Sequence, residues 1–135
     1  MPDVSYKLID EMDGIYGDIA RRARAELGVS SFGMQIMSLP PSWPGYPDHD
    51  HGPAATDPGQ EEVYLPLEGD GMLLADGHEY ALRPGVAVRV GPEQRRRIVP
   101  GERGLRFVAL GGIPGAFAPP AWTEIGAAPP VPASR

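Results

Sequence analysis

Cysteine is absent from the 135-residue chain, which removes disulfides, thiolate metal ligands and a cysteine nucleophile from consideration and leaves the redox compartment undecided. Positive charge is also scarce. Twelve Lys and Arg face 18 Asp and Glu, for a net charge of −6 and a pI near 4.9, the wrong sign for a partner with a phosphate backbone. No nucleic-acid partner is expected, because Arg95-Arg96-Arg97 is a short run and not a basic stripe. No stretch approaches the ~18–20 consecutive apolar residues of a membrane span, and the first residues, MPDVSYKLIDEMDG, lack a basic region followed by an apolar one. The expectation is a soluble, cytoplasmic protein with no membrane partner. Gly-x-Ser-x-Gly, Gly-x4-Gly-Lys-Ser/Thr and His-Glu-x-x-His are all missing, which argues against a hydrolase nucleophile elbow, a nucleotide phosphate loop and a zinc-protease helix.

What the chain does have is turn chemistry. Glycine (18) and proline (17) make up about a quarter of the residues, a share that in a random arrangement would suggest disorder. Most of them instead punctuate short apolar runs, as in Pro40-Pro41, Asp76-Gly77, Pro84-Gly85, Gly91-Pro92 and Pro100-Gly101, the pattern of an all-β domain. Strands are predicted over 31–39, 61–68, 71–75, 78–83, 86–90, 96–99 and 105–110, enough for a sandwich or barrel. Asp76-Gly77 suits a two-residue type I′ hairpin turn, with His78 just after it on the surface. One helix is predicted over 13–27, from Ile15, Ile19, Ala20, Ala23 and Leu27 at helical spacing, with Asp13 as N-cap, Gly28 as stop and Arg21, Arg22 and Arg24 on a solvated face. The length suits one domain. Within it, residues 1–30 are expected to form a helical segment packing on a barrel of residues 31–111, and 112–135 a Pro/Ala-rich extension with a frayed end, with Phe117 and Trp122 expected to anchor it to the barrel wall or to a second subunit.

Two imidazoles lie in His49-Asp50-His51, and a carboxylate follows in Gln60-Glu61-Glu62-Val63-Tyr64. Side chains alternate along extended chain, so His49 and His51 share one face, and Gln60, Glu62 and Tyr64 share another, with Asp50 and Glu61 pointing away. If both faces look into a barrel, His49, His51 and Glu62 converge. Two histidines and one carboxylate with open positions suit non-haem iron, and equally manganese, nickel, cobalt or zinc. Gln60 could add an amide oxygen or bind a substrate hydroxyl. Trp43 and Tyr46 could cover the cavity mouth or pack beneath the loop.

These residues resemble the cupin superfamily. The first cupin motif reads Gly, five residues, His-x-His, three or four residues, Glu, six residues, Gly; here His49-x-His51 and Glu62-x6-Gly69 match its two halves. The chain departs from it in a ten-residue gap from His51 to Glu62 and in having three residues, not five, between Gly45 and His49. The second motif reads Gly, five residues, Pro-x-Gly, two residues, His, three residues, Asn. Aligned from Gly85 it sets Arg96 at the histidine position, and shifted to use Pro92 it sets Arg97 there. The resemblance covers about residues 31–111 and implies an all-β single jelly-roll β-barrel, a metal site at His49, His51 and Glu62, and a homodimer.

An arginine in place of the fourth ligand bears directly on the chemistry. Guanidinium stays protonated and has no lone pair to offer a metal. At an effective dielectric near 20 and about 5 Å, it repels a divalent ion by roughly 6 to 7 kcal/mol before Glu62 offsets part of that. Two readings follow. In one, the barrel binds a small, possibly acidic, organic molecule without a four-ligand metal site, with Arg96, Gln60 and Tyr64 as substrate-binding residues and Arg96 paired with Glu62. In the other, a metal-dependent enzyme of the dioxygenase, isomerase or decarboxylase type uses His49, His51 and Glu62, with Arg96 clamping a substrate carboxylate and Tyr64 or Gln60 orienting it. The cofactor is accordingly either none or one divalent Fe, Mn, Ni, Co or Zn.

Overall fold

In the computed structural model, which describes residues 2–117, a 3-10 turn at Ile9–Glu11 precedes β1 (Gly14–Ile15), β2 (Ala20–Arg21), α1 (Ala23–Leu27), β3 (Gly33–Leu39), β4 (Glu61–Ala75), β5 (His78–Leu82), β6 (Val88–Val90) and β7 (Arg97–Gly112). Every pairing among these strands is antiparallel, in the order β1-β2-β3-β7-β4-β5 with β6 also on β4. Among the described residues the fold is all-β with one short α-helix, as the turn pattern predicts.

β4 and β7 form its spine. They pair from Glu61↔Gly112 to Leu74↔Arg97, with register shifts between Pro66 and Glu68 and between Gly69 and Gly71. The predicted strands 61–68 and 71–75 are therefore one bent strand, and so are 96–99 and 105–110. Bulges increase twist and bend the strand that carries them. At this bend Gly69 and Gly104 adopt φ of 77° and 76°, and a Cβ on Gly69 would collide with the Gly104 carbonyl oxygen. Two glycines thus let both strands fold over, so that one half of the spine pairs with β3 and the other with β5.

The predicted helix over 13–27 is shortened to its last turn and a half. Tyr16 and Gly17 take positive φ of 57° and 67°, turning the chain into a hairpin in which Gly14 pairs with Arg21 and Ile15 with Ala20. Asp13 does not cap a helix; its carbonyl accepts the Arg22 N–H at 2.9 Å. The apolar spacing of Ile15, Ile19 and Ala20 arises because β2 joins β3 through Ala20↔Met37, so tertiary pairing overrides a local helical pattern. Gly28 ends α1 in the left-handed conformation as predicted. Asp76 and Gly77, with φ of 49° and 78°, make the predicted type I′ turn, and His78 follows on the surface.

Period-two alternation in β3 separates two apolar clusters. Ile36 packs with Met12 and Ala23, and Met34 and Leu27 lie against them, so α1 covers the outer face of the sheet. Leu39 faces inward with Tyr64, Leu73, Leu82, Ile98, Leu105 and Phe107, and Met37 lies against that cluster. Trp122 and the rest of the extension beyond residue 117 lie outside the described residues.

Candidate functional site

The His49–His51 segment is fastened to the chain before β7. His49 and Arg96 exchange both backbone hydrogen bonds (3.0 and 2.9 Å), and the His51 N–H donates to the Pro92 carbonyl at 2.7 Å. Alternation along these segments then assigns each side chain. Asp50 points away and accepts from the Gly52 N–H at 2.9 Å, while Arg95 reaches Asp48 and Asp50 on the exposed side. Arg97 donates to the Pro44 carbonyl. Of the three arginines only Arg96 enters the interior, where its side chain has no exposure. On β4, Glu61 turns outward to Arg89, and Glu62 and Tyr64 turn inward.

The inward set converges on one oxygen. Glu62 Oε1 accepts hydrogen bonds from Tyr64 Oη at 2.8 Å and Arg96 Nη2 at 2.5 Å, and it lies 2.9 Å from His51 Nε2 and 3.9 Å from His49 Nε2. Arg96 also donates through Nε to Tyr64 Oη at 3.1 Å and through Nη1 to the Gln94 carbonyl at 2.8 Å. Arg96 and Tyr64 are both fully buried. The three arginine donor groups therefore meet protein acceptors, as a buried guanidinium requires. Burial alone would raise the Glu62 carboxyl, but His49, the Tyr64 hydroxyl and Arg96 hold it down at about 2. The Glu62 carboxylate raises His49 against the opposing effect of burial. Desolvation pushes Tyr64 far above the usual phenol range and Tyr46 up to about 12, so both hydroxyls stay neutral.

The outer nitrogens of the imidazoles are also occupied. His51 Nδ1 lies 2.8 Å from Asp57 Oδ1 and 3.0 Å from the Asp57 carbonyl oxygen, and His49 Nδ1 lies 3.2 Å from the Pro47 carbonyl oxygen. Oxygen acceptors at Nδ1 favour a proton there, and the same arrangement orients histidines that bind a metal through Nε2. One ligand atom each from His49, His51 and Glu62 lie within 4.8 Å of one another. This donor set fits a divalent transition metal, as its residue types and spacing predict.

A cavity of about 960 Å³ opens over this cluster, lined by Met37, Trp43, Tyr46, His49, His51 and Glu62 among others. Tyr46 and Trp43 line this cavity while packing on the inner core cluster, and a Cβ on Gly45 would collide with the Trp43 ring. Gln60 lines a smaller cavity of about 360 Å³ that shares His51 and Glu62. Asp57 carries no motif that marks it in the sequence. It sits in an Asp-Pro-Gly turn, and only folding reveals that its loop returns to His51.

No family model matches the chain. Among curated proteins, dimethylsulfoniopropionate lyase DddW from Ruegeria pomeroyi is 34% identical over 81 residues, covering 60% of this chain and 43% of that protein. The chain thus spans less than half the length of this relative. Among solved structures, a cupin protein from Bacteroides fragilis superposes with a TM-score of 0.67 at 19% identity, covering 92% of this chain and 96% of that one. The dimethylsulfoniopropionate lyase DddQ from Ruegeria pomeroyi superposes with a TM-score of 0.52 at 24% identity, covering 65% of this chain and 41% of that one. These superpositions show that the chain has the fold of the cupin structures it overlays.

Proposed function

We propose that the barrel is a metal-dependent enzyme acting on a small organic acid, with one divalent transition metal held by His49, His51 and the Glu62 carboxylate. The observation that carries this reading is the convergence of those donors with both Nδ1 atoms bound to oxygen acceptors. Such an ion supplies Lewis acidity toward a substrate oxygen. Arg96 and Glu62 cancel in charge, so a divalent ion leaves the centre positive even with Asp57 behind His51, and an anionic substrate restores the balance. Arg96 and Tyr64, sealed from the cavity, act on Glu62 by holding Oε1 and so fixing the orientation of its carboxylate. Tyr46 on the cavity wall is a neutral hydrogen-bond donor at physiological pH, and Gln60 offers an amide from the adjoining cavity. The likeness to a protein named as a lyase of a sulfonium propionate supports bond cleavage on a small carboxylate.

A second reading, a metal-free binding pocket, is favoured by one observation: Arg96, Tyr64 and His51 already surround Glu62 Oε1. Metal analysis of untagged protein separates the two. The enzyme reading expects about one transition-metal ion per chain, lost in Glu62→Ala. Metal-free protein that still binds small carboxylates would overturn it in favour of the second.

A further inference from the structure

We infer that Asp57 is the positioning residue of His51, so that the long loop between the two halves of the His-x-His…Glu pattern is the outer support of the metal centre. The inference rests on the metal reading above and adds to it a residue from outside the pattern.

Residues 52–60 separate His51 from β4 and form a closed turn structure: the Ala55 N–H donates to the Gly52 carbonyl at 3.0 Å and the Gly59 N–H to the His51 carbonyl at 2.7 Å. The second bond ties the end of the loop to His51 itself. Between these anchors Asp57 presents two acceptors to one nitrogen, Oδ1 at 2.8 Å and its own carbonyl oxygen at 3.0 Å. His51 is 5% exposed, so no abundant water competes for Nδ1. The ring that Asp57 holds at Nδ1 presents its other nitrogen, Nε2, to Glu62 Oε1 at 2.9 Å. His49 is held more loosely, by a single carbonyl at 3.2 Å. The loop therefore acts on the better-buried histidine, and the Asp57 carboxylate makes its imidazole a stronger donor. The loop also supplies Ala54, Ala55 and Thr56 to the cavity wall, so the same segment shapes the pocket and orients the ligand.

Two measurements on the full chain test this. The first is metal affinity, by competition of cobalt(II) with a chromophoric chelator. Asp57→Ala is expected to weaken binding about 10- to 100-fold, with Asp57→Asn between it and the wild type and Asp57→Glu restoring part of the loss. The cobalt absorption bands should shift in Asp57→Ala, a change that a merely structural role would not produce. The second uses metal-free protein: the His51 Nδ1–H resonance should exchange slowly in the wild type and broaden or vanish in Asp57→Ala. Wild-type affinity and an unchanged His51 resonance in folded Asp57→Ala would overturn the inference while leaving the metal reading intact. A wild type that binds no metal but shows the Asp57-dependent resonance would overturn the metal reading and sustain Asp57 as the residue that holds His51.

Discussion

At position 96 a guanidinium is sealed from water between Glu62 Oε1, Tyr64 Oη and the Gln94 carbonyl, where the cupin pattern has a histidine. Replacing it by Arg96→His restores a neutral nitrogen donor and removes the repulsion toward a cation. Divalent-metal affinity should rise on the order of tenfold or more, read by chelator competition; unchanged or weaker binding would mean that the hold of Arg96 on Glu62 outweighs its repulsion of a cation. Glu62 makes a prediction about acid stability of the metal-free protein. Its folded pKa of about 2 lies below the ordinary 4.5, so its contribution is present above the ordinary value and is lost as pH falls through the folded one. Chemical denaturation between pH 5 and 2 should show the wild type losing an increment on the order of 3 kcal/mol that Glu62→Gln lacks. Equal slopes for the two proteins would contradict this. These residue-level roles were only partly legible beforehand. His49, His51 and Glu62 could be paired by alternation, whereas Asp57 could not, because a loop has no period.

Among the elements, the bend of β4 and β7 depends on backbone conformation more than on side chains. Gly69 and Gly77 both take positive φ, but a Cβ on Gly77 meets nothing within 4 Å and one on Gly69 strikes the facing strand. Gly77→Ala should therefore cost about 1 kcal/mol, and Gly69→Ala that amount plus roughly 1–3 kcal/mol for forcing the strands apart, measured by urea denaturation. Similar losses at both sites would remove the argument that the bend needs a bare backbone. The Asp76-Gly77 hairpin was legible from its dipeptide because both residues act locally. The β1–β2 hairpin was not, since its apolar spacing fits a helix and only β3 offers the alternative hydrogen bonds.

For the molecule as a whole, the candidate site rests on the core beneath it. Phe107 is fully buried, with its ring centroid 5.6 Å from that of Tyr64 and 6.4 Å from that of Tyr46. Phe107→Ala should destabilise the fold by about 3–5 kcal/mol and lower metal affinity as Tyr64 loses its support. A destabilised but folded variant that binds metal with unchanged affinity would show that the core and the site are uncoupled. Composition, turn residues and strand periodicity determined the all-β class, the inward faces and the three ligand candidates, because each depends on neighbours along the chain. Tertiary structure alone decided which arginine enters, how Glu62 is held, and that Asp57 closes on His51. These are contacts between segments distant in sequence or on an aperiodic loop, and their geometry exists only once the two long strands have bent.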